Sequence, residues 1–102
     1  DIINHYLSEE KSLVVAVYTS LGITYYHIGD YANALSSYLS AFEIYQSNFN
    51  ETRRSIFYYE KIASVCNQLG EYSKALDYYG KALALRQKAF PNTQSDLGAA
   101  YN

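Results

Sequence analysis

From residue 9 onward, apolar side chains recur every three or four positions: Leu13, Val14, Val17, Tyr18, Leu21, Tyr25 and Ile28. That spacing is the period of a helix with one buried face. It predicts a first helix over about 9–28, with Ser8 as N-cap and Glu9 and Glu10 in the first turn. Val14, Val15 and Val17 are β-branched and each lowers helix propensity by a few tenths of a kcal/mol, which packing is expected to override. Ile2, Ile3, Tyr6 and Leu7 also have helical spacing and read as the end of an upstream helix. A second helix is predicted from Tyr31 to about 46–48, with Leu35, Tyr38, Leu39, Phe42 and Tyr45 as its apolar stripe. Ser47-Asn48-Phe49-Asn50 is the least helical stretch and should hold a joint. A third helix, capped by Asn50 or Thr52, runs to about Leu69 through Ile56, Tyr59, Ile62, Ala63 and Cys66. A fourth runs from Tyr72 to about Lys88 through Ala75, Leu76, Tyr79, Ala82 and Leu83. Lys81, Arg86 and Lys88 suit its negative end. Pro91, the only proline, punctuates the chain, and a fifth helix is expected from about Asn92.

The pattern repeats. Gly29, Tyr31, Ala34, Leu35, Tyr38 and Ala41 return 41 positions later as Gly70, Tyr72, Ala75, Leu76, Tyr79 and Ala82. A fixed period between about 20 and 50 residues signals stacked units rather than an ordinary globular core. Within each unit, Gly22 and Ala34, or Ala63 and Ala75, supply the small residues that two antiparallel helices need where they approach, at about 8–10 Å between axes. Tyr18, Leu21, Tyr25 and Tyr38, and then Tyr59, Ile62 and Tyr79, are expected to fill the grooves. Gly29 and Gly70 suit a left-handed residue at a helix end, and Asp30 and Glu71 follow where the next macrodipole is positive.

Tyr18-x2-Leu21-Gly22-x2-Tyr25 followed by Ala34-x3-Tyr38 resembles the tetratricopeptide repeat, whose pattern is W-x2-L-G-x2-Y, A-x3-F and a closing Pro. Tyr59-x2-Ile62-Ala63-x2-Cys66 followed by Ala75-x3-Tyr79 is a looser copy, and Leu97-Gly98-x2-Tyr101 begins a third. Gln46 and Gln87 stand where the closing Pro is usual, and the period exceeds the usual length of about 34 residues. A longer second helix, a longer connection or both are therefore expected. Repeats of this length resemble those of kinesin light chains, as does the segment from Ala82 to Asn92. The resemblance implies an all-α fold of antiparallel helix hairpins stacked as a right-handed solenoid of about five helices. It implies one array over 1–102, with repeats at about 13–48 and 52–89 and a partial third at about 92–102. The unpaired third unit leads us to expect a piece of a longer array.

Composition narrows the function classes. Tyr supplies 13 residues against four Phe and no Trp. Tyr can bury its ring while its hydroxyl stays wet, which suits a thin stack with much surface. The net charge is −2, and Arg53-Arg54 is the only basic block. Nucleic acid is therefore not an expected partner. No run of about 18 apolar residues predicts a membrane span. No signal peptide is visible, and the single Cys66 allows no internal disulfide. A reducing, cytoplasmic setting is the simpler reading.

The sequence offers no candidate enzyme chemistry. His5 and His27 belong to no metal-binding pattern, and no Cys/His cluster is present, so no metal or cofactor is expected. Cys66 reads as a small buried hydrophobe without an activating base. Glu43, Glu60 and Asp77 have no evident carboxylate partner, and no glycine-rich phosphate loop occurs.

What remains is a binding surface. In proteins of the resembled family, the first helix of each hairpin lines an inner concave wall on which partner peptides lie. Carried over by motif position, that wall comprises Ala16, Thr19, Ile23, Tyr26 and His27, then Phe57, Glu60, Lys61, Ser64, Asn67 and Gln68. Ser95, Asp96, Ala99 and Asn102 would continue it. Chaperone-binding members clamp a C-terminal carboxylate with Lys, Arg and Asn. The corresponding places here hold Thr19, Ile23, Glu60 and Ser64, and Glu60 is expected to repel a carboxylate. Tyr26, Phe57 and Asn67 suggest mixed apolar and amide contacts to an extended peptide. The resemblance thus implies a scaffold for a peptide or partner protein. End-to-end self-association of a structural solenoid is one alternative reading, and a regulatory module of a larger enzyme or signalling protein is another.

Overall fold

The computed structural model describes residues 2–89. They form four helices: α1 (Ile2–His27), α2 (Tyr31–Asn48), α3 (Thr52–Gln68) and α4 (Tyr72–Ala89). No strand occurs among the described residues. Pro91, the fifth helix expected from Asn92 and the wall positions Ser95, Asp96, Ala99 and Asn102 lie outside them. Helix α1 packs on α2, α3 on α4, and α2 on α3.

Short turns set this order, because a connection of a few residues folds each helix back along its predecessor. The turn after α1 and the turn after α3 are built alike. Asp30 N–H donates to Tyr25 O at 2.9 Å and Gly29 N–H to Tyr26 O at 3.1 Å. One period later, Glu71 N–H donates to Cys66 O at 2.9 Å and Gly70 N–H to Asn67 O at 3.1 Å. This pair of bonds closes a helix through a left-handed residue, and Gly29 and Gly70 take φ of 85° and 82°. Asp30 then caps α2 by accepting from Asn33 N–H at 3.3 Å.

The helices carry the extra length of the repeat. Residues 49–51 and 69–71 connect α2, α3 and α4, while α3 has 17 residues and α2 and α4 have 18 each. Both helices of the repeat, rather than the connections, therefore carry the 41-residue period.

Two expected helix starts are corrected. Ser8 is not an N-cap, since α1 runs through it from Ile2. Neither Gly nor Pro interrupts 2–27 except the packed Gly22, and His5 Nε2 meets Glu9 Oε1 at 3.1 Å one turn apart. Neither Asn50 nor Thr52 caps α3. Glu51 occupies the N-cap position without a side-chain cap bond, and Asn50 takes a left-handed φ of 55°, which Asn tolerates better than most residues. The joint is held from α2 instead. The Tyr45 hydroxyl accepts from Glu51 N–H at 2.7 Å and donates to Glu51 O at 3.3 Å.

The small positions lie inside: Ala34, Ala63, Ala75 and Gly22 are all buried. The predicted apolar stripes are buried only in part. In α1 the buried positions are Val15 and Gly22, while Leu13, Val14, Val17 and Leu21 are exposed, as is Ile28 just after the helix. Place in the stack decides the outcome. Ile62 of α3 is fully buried, but Leu21, one period earlier, is 40% exposed. Tyr38 of α2 is 2% exposed and its repeat Tyr79 is 43% exposed. Phe42 is 8% exposed and Leu83 51%. Helix α3 has neighbours on two sides, which also buries Tyr58 and Val65, two positions outside the predicted stripe. Helix α1 and helix α4 each keep one apolar face open.

Candidate functional site

Side-chain bonds align α1 with α3. Thr19 Oγ1 lies 2.8 Å from the Tyr58 hydroxyl, and the Tyr26 hydroxyl lies 3.0 Å from Ser64 Oγ. Moving up α1 from Thr19 to Tyr26 matches moving up α3 from Tyr58 to Ser64, so the two helices run side by side in the same direction. Thr19 Oγ1 also donates to Val15 O at 2.8 Å. A hydroxyl has one proton, so Tyr58 is the donor to Thr19. This bond satisfies the polar tip of a ring that is otherwise wholly inside the core.

Two cavities open on the α1–α3 face. One, of about 130 Å³, is lined by Ile23, Tyr26, His27, Lys61 and Ser64, with Tyr38 of α2 among them. The other, of about 210 Å³, is lined by Thr19, Phe57, Arg53 and Arg54. Of the eleven wall positions among the described residues, seven therefore line these two cavities: Thr19, Ile23, Tyr26, His27, Phe57, Lys61 and Ser64, while Ala16 lines two neighbouring ones. Asn67 and Gln68 are exposed on the last turn of α3 and line neither.

Glu60 is placed elsewhere. Its Oε2 accepts from Arg86 Nη2 of α4 at 2.6 Å. Its charge is thus compensated by Arg86, so the expected repulsion of a carboxylate by Glu60 is greatly reduced. Sequence reasoning also missed Arg53 and Arg54 as members of the face. The signal was present, because they are the only adjacent basic pair in the chain. What hid it was the motif, which begins only at Tyr59 in this repeat.

Aromatic packing fixes the walls. Tyr26 meets Tyr31 of α2 edge-on, with centroids 5.4 Å apart. Phe57 meets Tyr58 edge-on at 5.3 Å, and Lys61 Nζ stands 5.6 Å from the Phe57 centroid. Arg54 lies 6.0 Å from the Tyr45 ring. Among the described residues, Lys61 and Arg54 have no carboxylate partner, whereas Lys74 and Arg86 pair with Glu71 and Glu60.

Cys66 of α3 is buried, and burial pushes its thiol up from the ordinary value of 9.0, with Glu71 adding to the shift and Lys74 opposing it. A buried, protonated thiol is a poor nucleophile. Among the described residues, no three His, Cys, Asp or Glu side chains gather as a metal site. No helix among them is long and apolar enough to cross a membrane.

The profile of the tetratricopeptide repeat matches residues 13–88, from the middle of α1 to the last turn of α4. Neither a curated protein nor a solved structure matches the chain. The match spans both hairpins, both glycine turns and all the buried small positions. On that match and that geometry, the chain belongs to the tetratricopeptide repeat family.

Proposed function

We propose that the chain is a protein-interaction module that holds an extended peptide along the α1–α3 face. Repeats of this family generally mediate protein–protein interaction. The observation that carries the reading is the pair of cavities between α1 and α3, which gather seven of the positions chosen from the sequence. Helices and rigid aromatics set both cavities, and a preformed surface binds with less ordering cost than a loop. In this reading the face is the concave wall of a right-handed solenoid, continued by a fifth helix. The role is non-catalytic and needs no cofactor. The long helices favour the long-repeat subtype represented by kinesin light chains, and a cytoplasmic setting fits the lone reduced Cys66.

The test is a titration of display-selected peptides against the wild type, Tyr26→Ala and Asn67→Ala, with folding checked by circular dichroism. The account expects Tyr26→Ala to weaken binding by about ten-fold or more, as an aromatic anchor does. Unchanged affinity in both variants would reject the assignment of this face.

A second reading draws on the open ends. Val17 and Leu21 of α1 are exposed where Tyr58 and Ile62 are buried one period later, and Tyr79 and Leu83 are exposed where Tyr38 and Phe42 are buried one period earlier. The two end faces therefore repeat the two halves of the α2–α3 joint. End-to-end stacking of copies would reuse that joint in a head-to-tail contact. Light scattering that grows with concentration supports this reading, and a constant monomer mass rejects it.

A further inference from the structure

We propose that a second copy of this chain docks along the open face of α1, so that two α1 helices pair antiparallel in a closed, two-fold dimer. The peptide-binding reading is independent of this contact, because Thr19, Ile23 and Tyr26 lie on the other side of α1, toward α3.

Nothing within one copy accounts for two features of α1. The first is its length. Helix α3 begins at Thr52, whose counterpart one 41-residue period earlier is Lys11, so residues 2–10 of α1 have no helical counterpart in α3. The second is the spacing of its exposed side chains. Ile3, Leu7, Val14, Val17 and Leu21 are all exposed. With Glu10 and Thr24, also exposed, they follow one another at intervals of four and three without a break. That is the seven-residue period of a helix paired lengthwise with another helix. The seam runs from the extra turns straight into the repeat.

The seam complements itself. With Leu7 set against the second copy's Val17, an antiparallel pair brings Ile3 against that copy's Leu21 and Glu10 against its Val14. The extra turns of each copy then cover the open repeat face of the other. A cavity of about 310 Å³ on α1 is lined by Val17, Ser20, Leu21 and Thr24, with Ala16 beside them. Those first four are the residues that surround one inserted side chain in knobs-into-holes packing. At that level the inserted side chain is Ile3 of the second copy.

Charge selects the direction. A parallel pair would set Glu10 against its own counterpart, two acids in one layer. The antiparallel pair instead brings Glu10 within one helical turn of the second copy's Lys11, about 4.5 Å along the axis from Val14, and does so twice by symmetry. Among the described residues, neither Glu10 nor Lys11 belongs to an ion pair of its own chain. From Ile3 to Leu21 the seam is about 27 Å long. Closing it over that length buries on the order of 1,000 Å², the least that a specific interface needs. The dimer is therefore a weak one, forming at about micromolar concentration and above. Head-to-tail stacking would use the same α1 face with a different outcome. Two α1 faces close on each other and stop at two copies, whereas an α1–α4 contact leaves both ends open and keeps growing.

The experiment is sedimentation equilibrium of the whole chain from about micromolar to about millimolar concentration, with circular dichroism to check the folding of each variant. The expected mass rises to twice that of the monomer and stays there. L7E changes a residue ahead of the repeat, so it should leave the fold intact while weakening the dimer by about ten-fold or more, because a charge is driven into an apolar layer. K11E sets two acids together and should weaken the dimer by about three-fold or more, and the swap E10K/K11E should restore it. L76E, on the open face of α4, should leave the dimer unchanged. A monomer at every concentration, a mass that passes two copies, a dimer indifferent to L7E or one lost in a folded L76E would each overturn the proposal. A charge swap that restores nothing beyond K11E alone would overturn the antiparallel pairing.

Discussion

The ring of Tyr38 in α2 lies directly on Gly22 of α1. A Cβ placed on Gly22 would stand 2.8 Å from both Cδ1 and Cε1 of that ring. The ring is buried to 2% exposure and is held near its root, so it has no room to yield. Glycine costs a helix about 1 kcal/mol relative to alanine, and overpacking a core costs about 1–3 kcal/mol. Gly22→Ala should therefore be destabilising on balance, by about 1–2 kcal/mol. Gly80 in α4 gives the opposite sign, because a Cβ there meets nothing within 4 Å. Gly80→Ala should raise stability by about 0.5–1 kcal/mol. Urea unfolding of the two variants reads both signs. A stabilising Gly22→Ala would mean that the two helices do not close on Tyr38 as described.

The bond between Thr19 and Tyr58 makes an asymmetric prediction. Thr19→Val removes the acceptor and leaves a buried phenolic hydroxyl with nothing to donate to, at a cost of about 1–3 kcal/mol. Tyr58→Phe removes the donor but leaves the Thr19 hydroxyl still bonded to Val15 O. That change should cost only about 0.5–1.5 kcal/mol. Thermal melts of both variants give the order. Equal costs would place the proton on Thr19 instead of Tyr58.

Alkaline pH should loosen the fold through its buried rings and thiol. Burial is the main cause that pushes Tyr38 and Tyr45 above 10.0, and Cys66 above 9.0. A raised folded-state pKa means that the neutral form is the folded one. The stability these groups lend is whole below their unfolded values and is lost as pH rises through the folded ones. The midpoint of melting should therefore hold steady to about pH 9 and fall toward pH 11. In the Tyr38→Phe/Tyr45→Phe variant the fall should be shallower, though the variant starts lower because Glu51 N–H loses its Tyr45 acceptor. A midpoint indifferent to pH over that range would contradict the burial of these groups.

Much of this fold was legible because the period fixes it. Gly29 and Gly70 had to be turn residues, and Ala34 and Ala75 had to be inside, since both members of each pair recur in the same frame. The limit appears at Leu21 and Ile62, or Tyr38 and Tyr79. Each pair is nearly the same residue in the same motif position, and one member is buried while the other is exposed. Hydrophobic spacing reports which face of a helix wants cover. It does not report whether a neighbour stands there. The same reasoning applies to Glu60, whose partner Arg86 lies 26 positions away on another helix, and to Tyr45, which replaces the cap expected from Asn50 or Thr52. Seven of the eleven wall positions among the described residues came together because the motif places them. Arg53 and Arg54 were overlooked as part of that face because they precede the motif.

The most direct measurement of the functional claim is an NMR map of the folded, isotope-labelled chain as its tightest selected peptide is added. The account predicts that shifts concentrate on Thr19, Ile23 and Tyr26 of α1 and on Phe57, Lys61 and Ser64 of α3. Shifts concentrated on the open faces, at Val17 and Leu21 or at Tyr79 and Leu83, with the α1–α3 cavities unmoved, would contradict it.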